Sequence, residues 1–132
     1  MKQFRLLMLT TLMISGCSMV YELIISAVSS YLIGDSTLQY SVTIGLYMFA
    51  LGIGSFLSKF IRDNLWGWFA NVEIGIGIVG GLSALSLFLA NLYLESYALV
   101  MYAEILVIGT FAGLEIPLLT RIIESEIGRA HV

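Results

Sequence analysis

The chain has 132 residues, of which 59% are hydrophobic and only 11% are charged, and its mean hydropathy is +0.97. Soluble domains carry about 25% charged residues, so this composition excludes a soluble globular domain and predicts an integral membrane protein. The net charge of -3 says little about partners, because four of the nine carboxylates lie inside apolar stretches. The six scattered Lys and Arg residues make no basic patch, which argues against nucleic-acid binding, and a single cysteine excludes an intrachain disulfide.

Four apolar stretches are each long enough to cross a bilayer core of about 30 Å, which takes roughly 20 helical residues. Short polar breaks separate them, so consecutive helices are expected to run antiparallel. The predicted fold is therefore all-α, a polytopic bundle of four transmembrane helices in the lipid bilayer. The predicted spans are 6–33, 40–60, 66–92 and 97–119.

The first span contains Ile14-Ser15-Gly16-Cys17, which resembles a lipoprotein cleavage site. A secretory signal has an apolar core of about 7 to 15 residues that ends where the chain is cut. Here the apolar run continues well beyond Cys17, through Ile25. We therefore predict that Cys17 stays uncleaved in a retained first helix.

The basic residues indicate the orientation, because positively charged loops stay in the cytoplasm. Lys2 and Arg5 precede the first span, Lys59 stands at the end of the second and Arg62 follows it, and Arg121 follows the fourth. All of them fall on one side of the predicted bundle. The sequence thus predicts that both termini are cytoplasmic, an N-in/C-in topology.

Two pairs of glycines have the spacing that lets helix backbones approach closely. Gly77 and Gly81 lie in the third span, and Gly109 and Gly113 lie in the fourth. We predict that these two spans contact each other there. The alternative is chance, since glycine is common in membrane helices.

Four glutamates lie within apolar stretches without a basic residue at comparable depth, and such carboxylates are costly in hydrocarbon. They are Glu22, Glu73, Glu104 and Glu115. Three interpretations stay open: they are protonated or accept hydrogen bonds and lock helices together, they bind a cation or relay protons, or they pair with helices outside this chain. The hydrogen-bond donors expected under the first interpretation are Tyr21, Tyr47, Ser55 and Thr110.

Pro117 stands in the fourth span, two residues after Glu115. It lacks the backbone N–H that would bond the Gly113 carbonyl, so it predicts a helix irregularity in which a neighbour or water must satisfy that carbonyl.

Several segments together resemble the N-terminal membrane region of spermidine synthase-like proteins, which are bacterial integral-membrane polyamine aminopropyltransferases. The resemblance runs from about Ser15 to Ile123 and is most specific at Tyr21-Glu22, Gly34-Asp35-Ser36, Gly52-Ile53-Gly54-Ser55, Glu73 and "GLEIPLLTR". It implies a multi-pass protein of the bacterial inner membrane. It also implies a longer chain, with further helices and a cytoplasmic Rossmann-like domain that binds decarboxylated S-adenosylmethionine and transfers its aminopropyl group to a polyamine.

That domain is outside this sequence, so no catalytic, cofactor-binding or metal-binding residue is assigned, and the fragment is predicted to be inactive. As an extension, the four glutamates with Tyr21 form a candidate polar site for a polyamine or another cation. One alternative is a small proton or cation transporter or channel subunit that is complete only as a homo-oligomer. Another is a purely structural membrane anchor.

The last six residues, 127–132, read Ile-Gly-Arg-Ala-His-Val. The codons ATC-GGA-AGA-GCA-CAC-GTC encode this run, and they look like the start of a widely used short-read sequencing adapter. We predict that native sequence ends near Glu126 and that the tail is adapter read-through.

Overall fold

The computed structural model describes residues 2–93 and 97–130. These residues form four long helices: α1 is Lys2–Ile33, α2 is Ser36–Leu57, α3 is Leu65–Tyr93 and α4 is Tyr97–Ala130. A short 3-10 turn, Ser58–Phe60, follows α2. Each helix is long and apolar enough to cross a membrane, which confirms the predicted count of four and the all-α class.

Three helices extend several residues beyond the predicted spans. The first begins at Lys2 rather than near Leu6, α2 begins at Ser36 rather than at Tyr40, and α4 continues eleven residues past Leu119. The span prediction followed hydrophobicity, whereas helix propensity is also high for Lys, Arg and Glu. The length of each apolar run therefore predicted the candidate membrane-crossing part of each helix. It did not predict where the helix begins and ends.

The turn between α1 and α2 is tight because two successive residues adopt positive φ, Gly34 at 89° and Asp35 at 52°. Glycine takes this conformation without steric cost. The Asp35 side chain accepts a hydrogen bond from the Leu38 N–H at 3.2 Å and so caps the start of α2. This turn lies where the polar break at Gly34-Asp35-Ser36 predicted it.

The helix at the centre of the bundle is α4. It contacts each of the other three, whereas α2 and α3 do not contact each other within the described ranges. In its apolar window 44% of residues are buried, against 22–28% for the others. Residues on α4 are therefore the ones most enclosed by protein.

Two hydrophobic clusters are stacked along α4. One surrounds Met101, Ile105 and Ile108, and the other surrounds Leu114, Leu118 and Ile122. Tyr21 of α1 packs against both clusters, so it lies at the junction between them. The polar side chains of the candidate site lie around the same helix.

The closest helix contact differs from the predicted one. Gly109 and Gly113 lie against α2, where a Cβ at Gly113 would be 2.9 Å from the Leu51 Cα. On α2, Gly54 faces Thr110 and Gly113 in return. The small-residue prediction for α4 thus had the right residues and the wrong partner helix.

The predicted role of Gly77 and Gly81 is also corrected. A Cβ at either position would meet no described atom within 4 Å, and both glycines are exposed. The glycines of α3 that lie against neighbours are Gly75, facing Phe111 of α4, and Gly80, facing the Tyr21 ring of α1. The GxxxG spacing was present on α3, but it falls on an outward face of the helix.

Candidate functional site

Glu115 is the most enclosed carboxylate, with only 2% of its surface exposed. The central position of α4 buries it, and Ser15 Oγ of α1 donates to its Oε2 at 3.4 Å. Its Oε1 has no hydrogen-bond partner among the described residues. The glutamate thus joins α4 to α1 through one oxygen and leaves the other without a donor.

Glu73 of α3 lies close enough to Glu115 for the two carboxylate charges to interact. Both of its carboxylate oxygens are buried, and neither accepts a hydrogen bond from any residue that the structure describes. Because two nearby carboxylates repel each other when both are charged, a cation or an added hydrogen-bond donor beside this pair would stabilise it.

A groove of about 660 Å³ runs between α1 and α3 and is bordered by Glu73. Its other walls are mainly apolar, with two polar α1 side chains, and come from the first turns of both helices: Gln3, Leu6, Leu7, Thr10, Ile14, Trp66, Phe69 and Ala70. This groove beside Glu73 is open and large enough to receive another group. Hydropathy could not reveal it, because it depends on how α1 leans on α3.

Glu22 of α1 is only partly buried, and Tyr47 of α2 lies within electrostatic range of both Glu22 and Glu115. Tyr47 is buried, but its hydroxyl makes no hydrogen bond to a glutamate in the described residues. Glu22, Glu73, Glu115 and Tyr47 thus form a loose group of polar side chains whose charges interact.

Glu104 lies apart from the other three glutamates. Its Oε1 accepts a hydrogen bond from Ser86 of α3, while its Oε2 has no partner in the part of the chain described. Nearby, Ser29 and Tyr97 share a hydrogen bond of 2.9 Å. Eleven helical residues separate Glu104 from Glu115, a rise of roughly 16 Å along α4, so the four glutamates do not form one site.

The donors also differ from those predicted. Serines 15 and 86 bind the glutamates, whereas Tyr21 packs its ring against Gly80. Ser55 donates instead to the Gly113 carbonyl at 3.3 Å. Serine occurs at many positions of these helices. The sequence spacing of the serines could therefore not show which two of them donate to a glutamate.

The Ser55 hydrogen bond has a direct cause in the sequence. Pro117 removes the donor that would have satisfied the Gly113 carbonyl, and Ser55 of α2 supplies one from across the helix contact. Gly113 itself allows α2 to approach closely enough for this bond. The sequence predicted that a neighbour must donate to the Gly113 carbonyl, and a residue of α2 does so. Beyond the proline, α4 continues as a helix.

Arg121 has a structural contact that sequence reasoning missed, since it served there only to indicate orientation. Its guanidinium Nη1 donates to the Ser58 carbonyl at 2.7 Å and also to that of Ile61. Carbonyls at a helix end lack intrahelical donors, and a basic side chain commonly satisfies them. Arg121 thereby attaches the end of α2 to α4.

Across residues 2–93 and 97–130, no group of three or more His, Cys, Asp or Glu side chains lies close enough to hold a metal ion.

Similarity to known proteins covers most of the chain. The chain is 39% identical to a polyamine aminopropyltransferase of Leptospira interrogans over 121 aligned residues, and the alignment covers 92% of this chain. It is 46% identical to polyamine aminopropyltransferase 2 of Ralstonia nicotianae over 89% of the chain, and 43% identical to polyamine aminopropyltransferase 1 of Streptomyces coelicolor over 90%.

The chain spans only about a quarter of the length of these curated relatives, 24%, 24% and 22% respectively. No family model matches it, and no solved structure matches it. The chain is therefore homologous to a fragment of proteins that carry this name.

Proposed function

We propose that the chain is a membrane-embedded, four-helix part of a bacterial polyamine aminopropyltransferase. The observation that carries this proposal is the similarity to proteins of that name over about nine-tenths of the chain. Residues from the segments most typical of the resemblance, such as Tyr21, Gly113 and Leu114, pack between helices of the described bundle.

Insertion into a membrane is supported by the outer surface of the bundle. Large apolar side chains are exposed on all four helices, for example Leu12 at 71%, Met48 at 64%, Leu92 at 72% and Leu99 at 71%. Water-soluble proteins rarely expose wide contiguous apolar surface, whereas lipid accommodates it without cost. We place the protein in the bacterial inner membrane as a multi-pass protein.

The chemistry is assigned to the part of the full-length protein outside this chain. There, decarboxylated S-adenosylmethionine would donate an aminopropyl group to a polyamine, on a cytoplasmic Rossmann-like domain. Such a transfer requires both substrates to be held in a fixed relative orientation. We assign no such role to the helices described here, so the fragment alone is expected to be inactive.

A transporter or channel function is not favoured. The relatives are named as transferases, and the described glutamates fall into two separate groups. For the same reason we do not propose that all four glutamates and Tyr21 bind one polyamine together.

Reading the gene past the codon for Glu126 tests the proposed function. We expect the frame to continue into further apolar spans and then a glycine-rich strand-loop-helix, with residues 127–132 absent from the native sequence. Membranes containing the complete protein should transfer the aminopropyl group, and membranes containing residues 1–126 should not. A stop codon directly after Val132, or a complete protein without transferase activity, would contradict the proposal.

The N-in/C-in orientation is tested by reporter fusions in the loops. Alkaline phosphatase, active only outside the cytoplasm, should be active when fused after Asp35, and green fluorescent protein should fluoresce when fused after Asp63. The reason is that Lys59 and Arg62 flank the second loop, whereas the first loop has no basic residue. The matched controls exchange the two reporters, and phosphatase activity after Asp63 would show the opposite orientation.

A further inference from the structure

We propose that the groove between α1 and α3 is the seat of another apolar helix of the full-length protein, one that brings a basic side chain to Glu73. This rests on the proposed function in one respect, that the chain is part of a longer membrane protein. It assigns a partner to the groove and to the Glu73 carboxylate.

The first argument is that the buried Glu73 carboxylate lacks a hydrogen-bond donor among the described residues. Both of its oxygens are buried, and neither has a donor in the described residues, whereas Glu104 and Glu115 each have a serine. A buried carboxylate without a partner is costly, and an opposite charge offsets that cost most effectively. The carboxylate must rotate toward the groove to meet the incoming group, which the flexible glutamate side chain permits.

The second argument is the shape and chemistry of the groove. Its α1 wall runs from Gln3 to Ile14, which is about three helical turns or roughly 16 Å. Among the wall residues, Thr10 and Ala70 are small and allow close approach. A polyamine would bring several ammonium groups against these mainly apolar walls and their one carboxylate, so a helix with one cation fits better.

The third argument concerns where such a helix would come from. The relatives are about four times as long as this chain, so further helices have ample sequence to come from.

Photo-crosslinking in the complete protein tests the proposal. The photoreactive residue p-benzoylphenylalanine replaces Ala70 or Leu6 at the groove, and in the control it replaces Ile78, an exposed residue of α3 that does not border the groove. Both groove positions should crosslink to one apolar peptide from beyond residue 126 that contains Lys, Arg or His. The Ile78 variant should not capture that peptide.

Charge exchange at the mapped helix gives a second, independent measurement. Glu73→Leu and replacement of the mapped basic residue by leucine should each lower the yield of monodisperse protein several-fold, because each leaves a buried charge alone. The double variant should recover most of that yield. Glu104→Leu is the matched control, and combining it with the basic-residue change should give no recovery.

Crosslinks to lipid or to a second copy, or a captured helix without a basic residue, would overturn the proposal. So would a double variant no better than the single ones. These outcomes are distinct from failure of the proposed function, since crosslinking reports the partner of the groove whether or not the protein transfers an aminopropyl group.

Discussion

Replacing Gly113 with alanine is expected to destabilise the protein by about 2 kcal/mol, because the added methyl group has no room between α4 and α2. A Cβ at this position would lie 2.9 Å from the Leu51 Cα and 3.0 Å from the Leu51 carbonyl carbon. These are backbone atoms, so relief requires the two helices to move apart. The free energy of unfolding of the purified protein in mild detergent measures the effect.

The matched control is the same substitution at Gly77. A methyl group added at that position would have no described atom within 4 Å, and alanine is a better helix former than glycine by up to about 1 kcal/mol. Gly77→Ala should therefore leave stability unchanged or raise it. Equal destabilisation by both substitutions would contradict the contact between α2 and α4.

Gly54→Ala should resemble Gly113→Ala, since a Cβ at Gly54 would lie 2.9 Å from the Gly113 Cα. Because the two glycines face each other, once one methyl group has separated the helices, the second adds little. A double variant that loses the full sum of the two effects would mean that the residues act at separate contacts.

This helix contact shows how far the sequence could predict the fold. Hydropathy and the polar breaks were sufficient for four helices, because each apolar run exceeds the length a bilayer requires. The glycine pattern correctly marked Gly109 and Gly113 as contact residues. It could not assign their partner, because a pair of small residues defines a face of one helix and carries no information about which helix covers it.

The carboxylates show the same limit. That Glu115 and Glu104 share a face of α4 follows from their spacing, and both do face other helices. Their separation along the helix axis places them in different polar groups, and the serines that reach them belong to α1 and α3. Such pairings depend on the rotation and offset of whole helices, which periodicity within one helix does not determine.

Pro117 was more predictable because its effect is local. A proline has no backbone N–H, so the unmet need of the Gly113 carbonyl follows from covalent structure alone. Only the identity of the donor, Ser55, required the three-dimensional arrangement.

Ser55→Ala is expected to cost about 1–3 kcal/mol of stability, because it leaves the buried Gly113 carbonyl without a donor. In a Pro117→Ala background the same change should cost much less, since residue 117 then supplies the missing helical N–H. The four proteins form a double-mutant cycle, read from unfolding free energies in detergent, in which the two substitutions are strongly non-additive. Additive effects would show that the contribution of Ser55 to stability does not depend on Pro117. Ser55 would then stabilise the protein through some other contact.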